Sequence, residues 1–146
     1  MLKDGRWLMA HKIALDSALC RDCQVCTLAC SLDHEGECNL HLARLAVNKD
    51  MARYEFHLTI CQQCESPACL AVCPAEAMHL DERGVVCIDQ EMCVRCGACQ
   101  QACPFDAIFY HEASDRYLKC DMCASRAEGP LCIELCPVGA LMLAEA

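Results

Sequence analysis

The sequence predicts an α+β fold, short strands and helices wrapped around four cysteine-rich loops, and three observations carry that prediction. Sixteen of the eighteen cysteines fall into four sets of four. Three of those sets continue as Cys-Pro-x-x-Ala, with Ala77, Ala107 and Ala140 in the same place, so the chain repeats one unit of strand, cysteine loop and turn. Between the sets lie short apolar segments such as Tyr54, Phe56, Leu58 and Ile60, whose period of two is that of a half-buried strand.

The set Cys93-Val-Arg-Cys96-Gly-Ala-Cys99-Gln-Gln-Ala-Cys103-Pro104 has the spacing C-x2-C-x2-C-x3-C-P. This is the run that holds [4Fe–4S] clusters in bacterial-type ferredoxins. A cubane needs a thiolate on each of its four irons, and three closely spaced cysteines wrap one loop around three corners. The fourth thiolate comes from another run, so the runs are expected to work in pairs. Pro104 turns the chain away without adding a backbone donor, and Gly97 permits close backbone approach to an inorganic sulfide.

Taken in order, Ile13 to Asp16 reads as a strand entering the first set, Cys20, Cys23, Cys26 and Cys30, where Ser31 stands in place of the proline. The lone Trp7 before it reads as a plug in the local core or as a partner anchor. A polar loop, Asp33 to Cys38, follows. The segment Leu40–Ile60 is expected to form a hairpin over a cluster, with its turn at Asn48 to Met51. The second set, Cys61, Cys64, Cys69 and Cys73-Pro74, has a widened middle gap containing Pro67. A turn at Asp81 to Gly84 and a strand at Val85 to Asp89 lead into the third set. Ala107 to Tyr110 is a further strand, and His111 to Tyr117 a polar turn. The fourth set is Cys120, Cys123, Cys132 and Cys136-Pro137, its long gap a charged surface loop ending in Gly129-Pro130.

Composition excludes several classes of function. The 146 residues make one domain or two small fused units, and only seven are aromatic, so bound metal is expected to supply much of the folding free energy. A net charge of −9 argues against nucleic acid, whose phosphates need a basic patch. No apolar run approaches the ~20 residues of a membrane span. Met1 to Ser17 shows neither an apolar export core nor a twin-arginine pair, so a cytoplasmic location is expected and a secreted disulfide scaffold is not. Paired C-x2-C knuckles also build zinc modules, but those require neither a third cysteine at the same spacing nor the Cys-x3-Cys-Pro ending. No glycine-rich nucleotide motif points to a self-contained enzyme.

Two cysteines stand outside the sets: Cys87 reads as a small core residue and Cys38 as a loop thiol. None of the six histidines pairs at metal spacing. Arg95 and Lys119 flank ligand positions, where a cation would favour a reduced cluster, though solvated surface charge is the plainer reading of both.

These four sets, with widened gaps at Cys64–Cys69 and Cys123–Cys132, resemble the four-cluster iron–sulfur electron-transfer subunits of molybdopterin and tungstopterin oxidoreductases, hydrogenases and carbon monoxide dehydrogenases. The resemblance spans Ile13 to Leu143 and implies two nested bacterial-ferredoxin-like units holding four [4Fe–4S] clusters. Residues 13–58 with 114–146 would form the outer unit and 59–113 the inner one. It implies ligand sets Cys20, Cys23, Cys26 with Cys136; Cys120, Cys123, Cys132 with Cys30; Cys61, Cys64, Cys69 with Cys103; and Cys93, Cys96, Cys99 with Cys73. It also implies a non-catalytic subunit that relays single electrons between a catalytic oxidoreductase partner and a further donor or acceptor subunit. The small size resembles the polyferredoxin subunit of tungsten aldehyde oxidoreductases, with hydrogenase, carbon monoxide dehydrogenase and free polyferredoxin as alternatives. A wire with two exposed ends also offers end-to-end association with its own copies, and relatives can be exported alongside a partner that carries the signal.

Overall fold

The computed structural model describes residues 11–145; Trp7 and most of the N-terminal lead lie outside them. Its strands form four separate antiparallel pairs. β1 (His11–Leu15) pairs with β8 (Leu141–Glu145), joining the two ends of the described residues, with Ile13 opposite Leu143. The other three are hairpins: β2 (Leu45–Asp50) with β3 (Glu55–Ile60), β4 (Met78–Leu80) with β5 (Val86–Ile88), and β6 (Ile108–His111) with β7 (Arg116–Lys119). Four helices lie between them: α1 (Val25–Glu35), α2 (Ala68–Ala71), α3 (Ala98–Ala102) and α4 (Leu131–Glu134). α1 packs on α4, and α2 on α3.

The expected hairpin at Leu40–Ile60 is present but narrower. Leu40–Leu42 is a turn of 3-10 helix, its first turn capped by Asn39, whose side chain accepts the His41 N–H at 3.0 Å. The reversal falls at residues 51–54 rather than at Asn48 to Met51, so Tyr54 sits in the turn with a left-handed φ of 57° and its ring is exposed. Inside β3 the alternation holds: Glu55 and His57 face solvent, Phe56 and Leu58 are half-buried and Ile60 is buried.

The segment read as a polar loop from Asp33 begins inside α1, which runs through the first cysteine set to Glu35 and stops at Gly36, φ 76°. Ser31 is the reason. A proline there would remove a ladder hydrogen bond and clash with the preceding turn. Serine instead is fully buried, donates its hydroxyl to the Leu28 carbonyl at 2.9 Å and accepts the Asn39 N–H at 2.9 Å. In the three Cys-Pro sets the helix stops before the proline, which holds the residue ahead of it out of the helical region, as at Cys103 with ψ 115°.

Two apolar clusters form. One gathers Ile13, Ala43, Leu45, Ile60, Met122 and Leu141 with buried cysteines of the first and fourth sets. The other gathers Met78, Val86, Ile108 and Tyr117, with half-buried cysteines of the second and third sets against it. The strand expected at Ala107 to Tyr110 continues through a short 3-10 turn into β7, which starts at Arg116, within the stretch read as a polar turn. The β6–β7 hairpin therefore spans residue 113. Among the described residues no helix is long and apolar enough to cross a membrane.

Candidate metal centres

The cysteine loops repeat in backbone as well as in sequence. The residue before the second cysteine of every set is left-handed: Asp22 (φ 53°), Gln63 (48°), Arg95 (60°) and Met122 (56°). In the three Cys-Pro sets the residue before the alanine is left-handed too: Glu76 (53°), Asp106 (51°) and Gly139 (62°). Only a small share of non-glycine residues adopts such angles, so their recurrence marks a shared loop path. The turns after proline bring the following alanines, Ala77, Ala107 and Ala140, to 1% exposure each. A larger side chain has no room there.

Those left-handed residues turn backbone N–H groups toward sulfur. The Sγ of Cys61 accepts from Gln63 at 3.4 Å, that of Cys120 from Met122 at 3.4 Å and that of Cys136 from Ala140 at 3.2 Å, while Cys30 accepts from Arg44, outside these turns, at 3.3 Å. Successive N–H groups arranged this way make an anion-binding concavity. Burial alone would raise the Cys73 thiol pKa, but N–H groups of Met78, Ala77, Ala75 and Glu76 outweigh it and lower the value; Leu141, Ala140, Val138 and Gly139 do the same for Cys136. Deeper in, desolvation wins: burial pushes the Cys120 thiol up to about 12 and those of Cys26 and Cys123 to about 11. Buried thiols so placed ionise only against a compensating cation, which is what a metal centre supplies.

The structure brings cysteines from different sets together. Cys20, Cys23, Cys26 and Cys136 line one cavity; Cys61, Cys64, Cys69 and Cys103 line a second; Cys73, Cys93, Cys96 and Cys99 line a third. Cys120, Cys123, Cys132 and Cys30 form a fourth buried group, Cys30 lying close enough to act electrostatically on both Cys123 and Cys132. Neighbouring groups also pack together: Cys69 and Cys103 border the same apolar cluster as Cys73, Cys93 and Cys99, Cys61 packs against the cluster that holds Cys120 and Cys132, and that cluster also holds Cys26. That sets the groups in the order Cys93 group, Cys61 group, Cys120 group, Cys20 group, with an exposed thiol in each end group, Cys96 and Cys23. Each group offers four thiols, and among the described residues the one carboxylate lining any of the three cavities is Asp22, which is engaged by Lys49. This donor set fits a cubane of four irons.

Gly97 is required for a reason the spacing does not show. It is left-handed (φ 77°), and a Cβ there would lie 2.8 Å from the Tyr117 hydroxyl. Cys87 is half-buried on β5 opposite His79, and Cys38 is exposed. His34 bridges elements: its Nδ1 meets the Cys30 carbonyl at 2.9 Å and its Nε2 the Asp121 carboxylate at 3.0 Å. Arg95 is surface charge as expected, paired with Asp115 at 3.5 Å. Lys119 is not: only 3% exposed, it lines the Cys61 cavity.

A fold of repeated cysteine loops around grouped thiols defines an iron–sulfur protein, and residues 52–146 match the family of the 4Fe-4S dicluster domain, to which this chain belongs. Its cofactors are [4Fe–4S] clusters, and its four cysteine groups provide for four of them. The B component of the anaerobic dimethyl sulfoxide reductase of Escherichia coli (strain K12) is 37% identical over 142 residues, covering 87% of this chain and 69% of that protein. The thiosulfate reductase electron transfer subunit PhsB of Salmonella typhi is 31% identical, covering 94% and 74%. The B component of the tetrathionate reductase of Salmonella typhimurium is 30% identical, covering 92% and 58%. Among solved structures, the active site complex BamBC of benzoyl coenzyme A reductase with benzoyl-CoA contains a polypeptide of TM-score 0.55 and 25% identity, covering 92% of this chain and 78% of that one. The protein is thus an electron-transfer iron–sulfur subunit, non-catalytic in itself.

Proposed function

We propose that this chain is the electron wire of a molybdopterin or tungstopterin oxidoreductase, carrying single electrons between that enzyme's catalytic subunit and a donor or acceptor. The observation that carries the reading is the row of four cysteine groups with an exposed thiol in each end group. In this proposal each group holds one [4Fe–4S] cluster: Cys93, Cys96, Cys99 and Cys73; Cys61, Cys64, Cys69 and Cys103; Cys120, Cys123, Cys132 and Cys30; Cys20, Cys23, Cys26 and Cys136. The outer unit, 13–58 with 114–146, then carries two clusters and the inner unit, 59–113, the other two. Such clusters supply one-electron chemistry at potentials between about −700 and +450 mV, set by hydrogen bonds, charge and exposure. The protein's own part is to fix their order and leave the end pair, with exposed Cys23 and Cys96, within reach of partners.

Reductases of dimethyl sulfoxide, thiosulfate and tetrathionate among the relatives favour a catalytic partner of that kind over a hydrogenase or carbon monoxide dehydrogenase. A tungsten aldehyde oxidoreductase partner, end-to-end association and residence in the cytoplasm belong to the same proposal. The test is elemental analysis of the native complex, isolated without oxygen through a tag on this protein. Molybdenum or tungsten with about sixteen irons per copy, the number four [4Fe–4S] sites need, is the expected result. Nickel in their place would overturn the pterin assignment, and a count near eight irons would overturn the four-cluster one. Cell fractionation and the copy number per complex decide the remaining two points.

A further inference from the structure

Lys119 ends β7 in a place where, among the described residues, a cation has no protein counter-charge. It is 3% exposed, and its Nζ donates to the Cys120 carbonyl at 2.8 Å and to the Val86 carbonyl. An ammonium carries three donors, and among the described residues only these two carbonyls receive them. No described carboxylate forms an ion pair with Lys119, and none lines the cavity it shares with Cys61, Cys64, Cys69 and Cys103. A buried charge left unpaired is strongly disfavoured in a medium of low polarity, so a side chain held this way calls for an anion. Burial is enforced by two hairpins, β4–β5 supplying the Val86 carbonyl and β6–β7 supplying the lysine.

The position is equally telling. Lys119 lines the cavity of the Cys61 group and bonds the carbonyl of Cys120, the first cysteine of the neighbouring group, so it stands at the central junction of the row. Its charge acts on Cys69 on one side and Cys120 on the other.

We propose that Lys119 is the built-in counter-ion of the cluster in the Cys61, Cys64, Cys69 and Cys103 cavity, fixing it there and raising its reduction potential so that an electron pauses in the middle of the wire. A [4Fe–4S] cluster on four thiolates carries about −2 and becomes about −3 on accepting one electron. The electron comes from the neighbouring cluster on the donor side and leaves to the one on the acceptor side, with no bond made or broken. A fixed positive charge nearby stabilises the more negative state more, and the burial of Lys119 itself limits the screening of that charge by water. This rests on the reading that the four groups hold clusters.

The test is an anaerobic redox titration followed by electron paramagnetic resonance on the full-length protein in its native complex, with iron counted in each sample. Wild-type protein lacking about sixteen irons would sink the cluster reading itself. With wild type fully loaded, Lys119→Gln is expected to lower one of the four midpoints clearly, to leave those of the two end clusters in place, and to lose no iron. Lys119→Arg, which keeps the charge, should return that midpoint toward the wild-type value. Loss of one cluster's iron in Lys119→Gln but not in Lys119→Arg also supports the counter-ion role. Unchanged midpoints in a fully loaded Lys119→Gln overturn it, as does equal iron loss in both variants, which would make Lys119 a packing residue only.

Discussion

Gly97 and Ser31 show single residues tying cysteine loops to the rest of the fold. At Gly97 an alanine must hold a left-handed angle, worth about 1–2 kcal/mol against an L residue, and push against the Tyr117 hydroxyl. Gly97→Ala is therefore expected to lower the unfolding midpoint and to disturb the third set first, which thermal unfolding followed through cluster absorbance will show. Ser31→Ala removes the acceptor of the half-buried Asn39 N–H and should cost about 0.5–1.5 kcal/mol, the usual net worth of one hydrogen bond; denaturant unfolding reads it. Glycine between two cysteines was legible in the sequence as a close approach, but the approaching group, a tyrosine from β7, was not, because about twenty residues of sequence separate the two. Lys119 was illegible for the same reason. Its neighbours in sequence suggest a surface, and only the convergence of two hairpins buries it.

Among the elements, some strands were readable: period-two patterns gave β3, and Gly84 and its turn gave β5, while the polar residues leading into β7 hid it. Helices α2 to α4 are four or five residues long, too short to show a period of 3.6, and they exist because cysteine spacing forces a turn there. α1 hid behind the polar run Asp33-His34-Glu35, whose side chains serve ion pairs rather than a loop: Glu35 meets Arg116 at 2.6 Å and His34 meets Asp121. Ser31→Pro, which would give the first set the ending of the other three, is expected to break α1 and cost about 3 kcal/mol, with loss of iron from the outer pair of clusters measured by chemical analysis. The β4–β5 turn has its own pH dependence. Burial alone would raise the Asp81 pKa, but the N–H groups of Val85 and Arg83 and the Arg83 guanidinium outweigh it and hold the carboxyl below its ordinary range. A depressed folded value means that stability is fully present above the unfolded carboxylate pKa and is lost as pH falls through the folded one. Amide exchange at Val85 should accelerate over that acid window in the wild type, whereas Asp81→Asn should exchange faster at neutral pH and lose the dependence.

For the whole molecule, buried thiols stand where a larger domain keeps leucines. With Cys120, Cys132, Cys26 and Cys30 inside the outer apolar cluster, removal of iron leaves that core holding polar sulfur with nothing to bind. Anaerobic chelation is expected to abolish cooperative unfolding, read by circular dichroism, and reconstitution with iron and sulfide to restore it. Which sets pair with which is not contained in the spacing of any one of them; it depends on the backbone returning on itself, helix α4 reaching α1 and strand β8 reaching β1. That last pairing has a consequence for biosynthesis. β1 leaves the ribosome well before its partner β8, so until β8 follows it β1 carries an open edge, the kind of surface that invites misassembly with other nascent polypeptides. The inner cysteine groups are complete once Cys103 has emerged, while of the outer ones the Cys120 group waits for Cys132 and the Cys20 group for Cys136, so complete sets of thiols become available from the middle of the sequence outward.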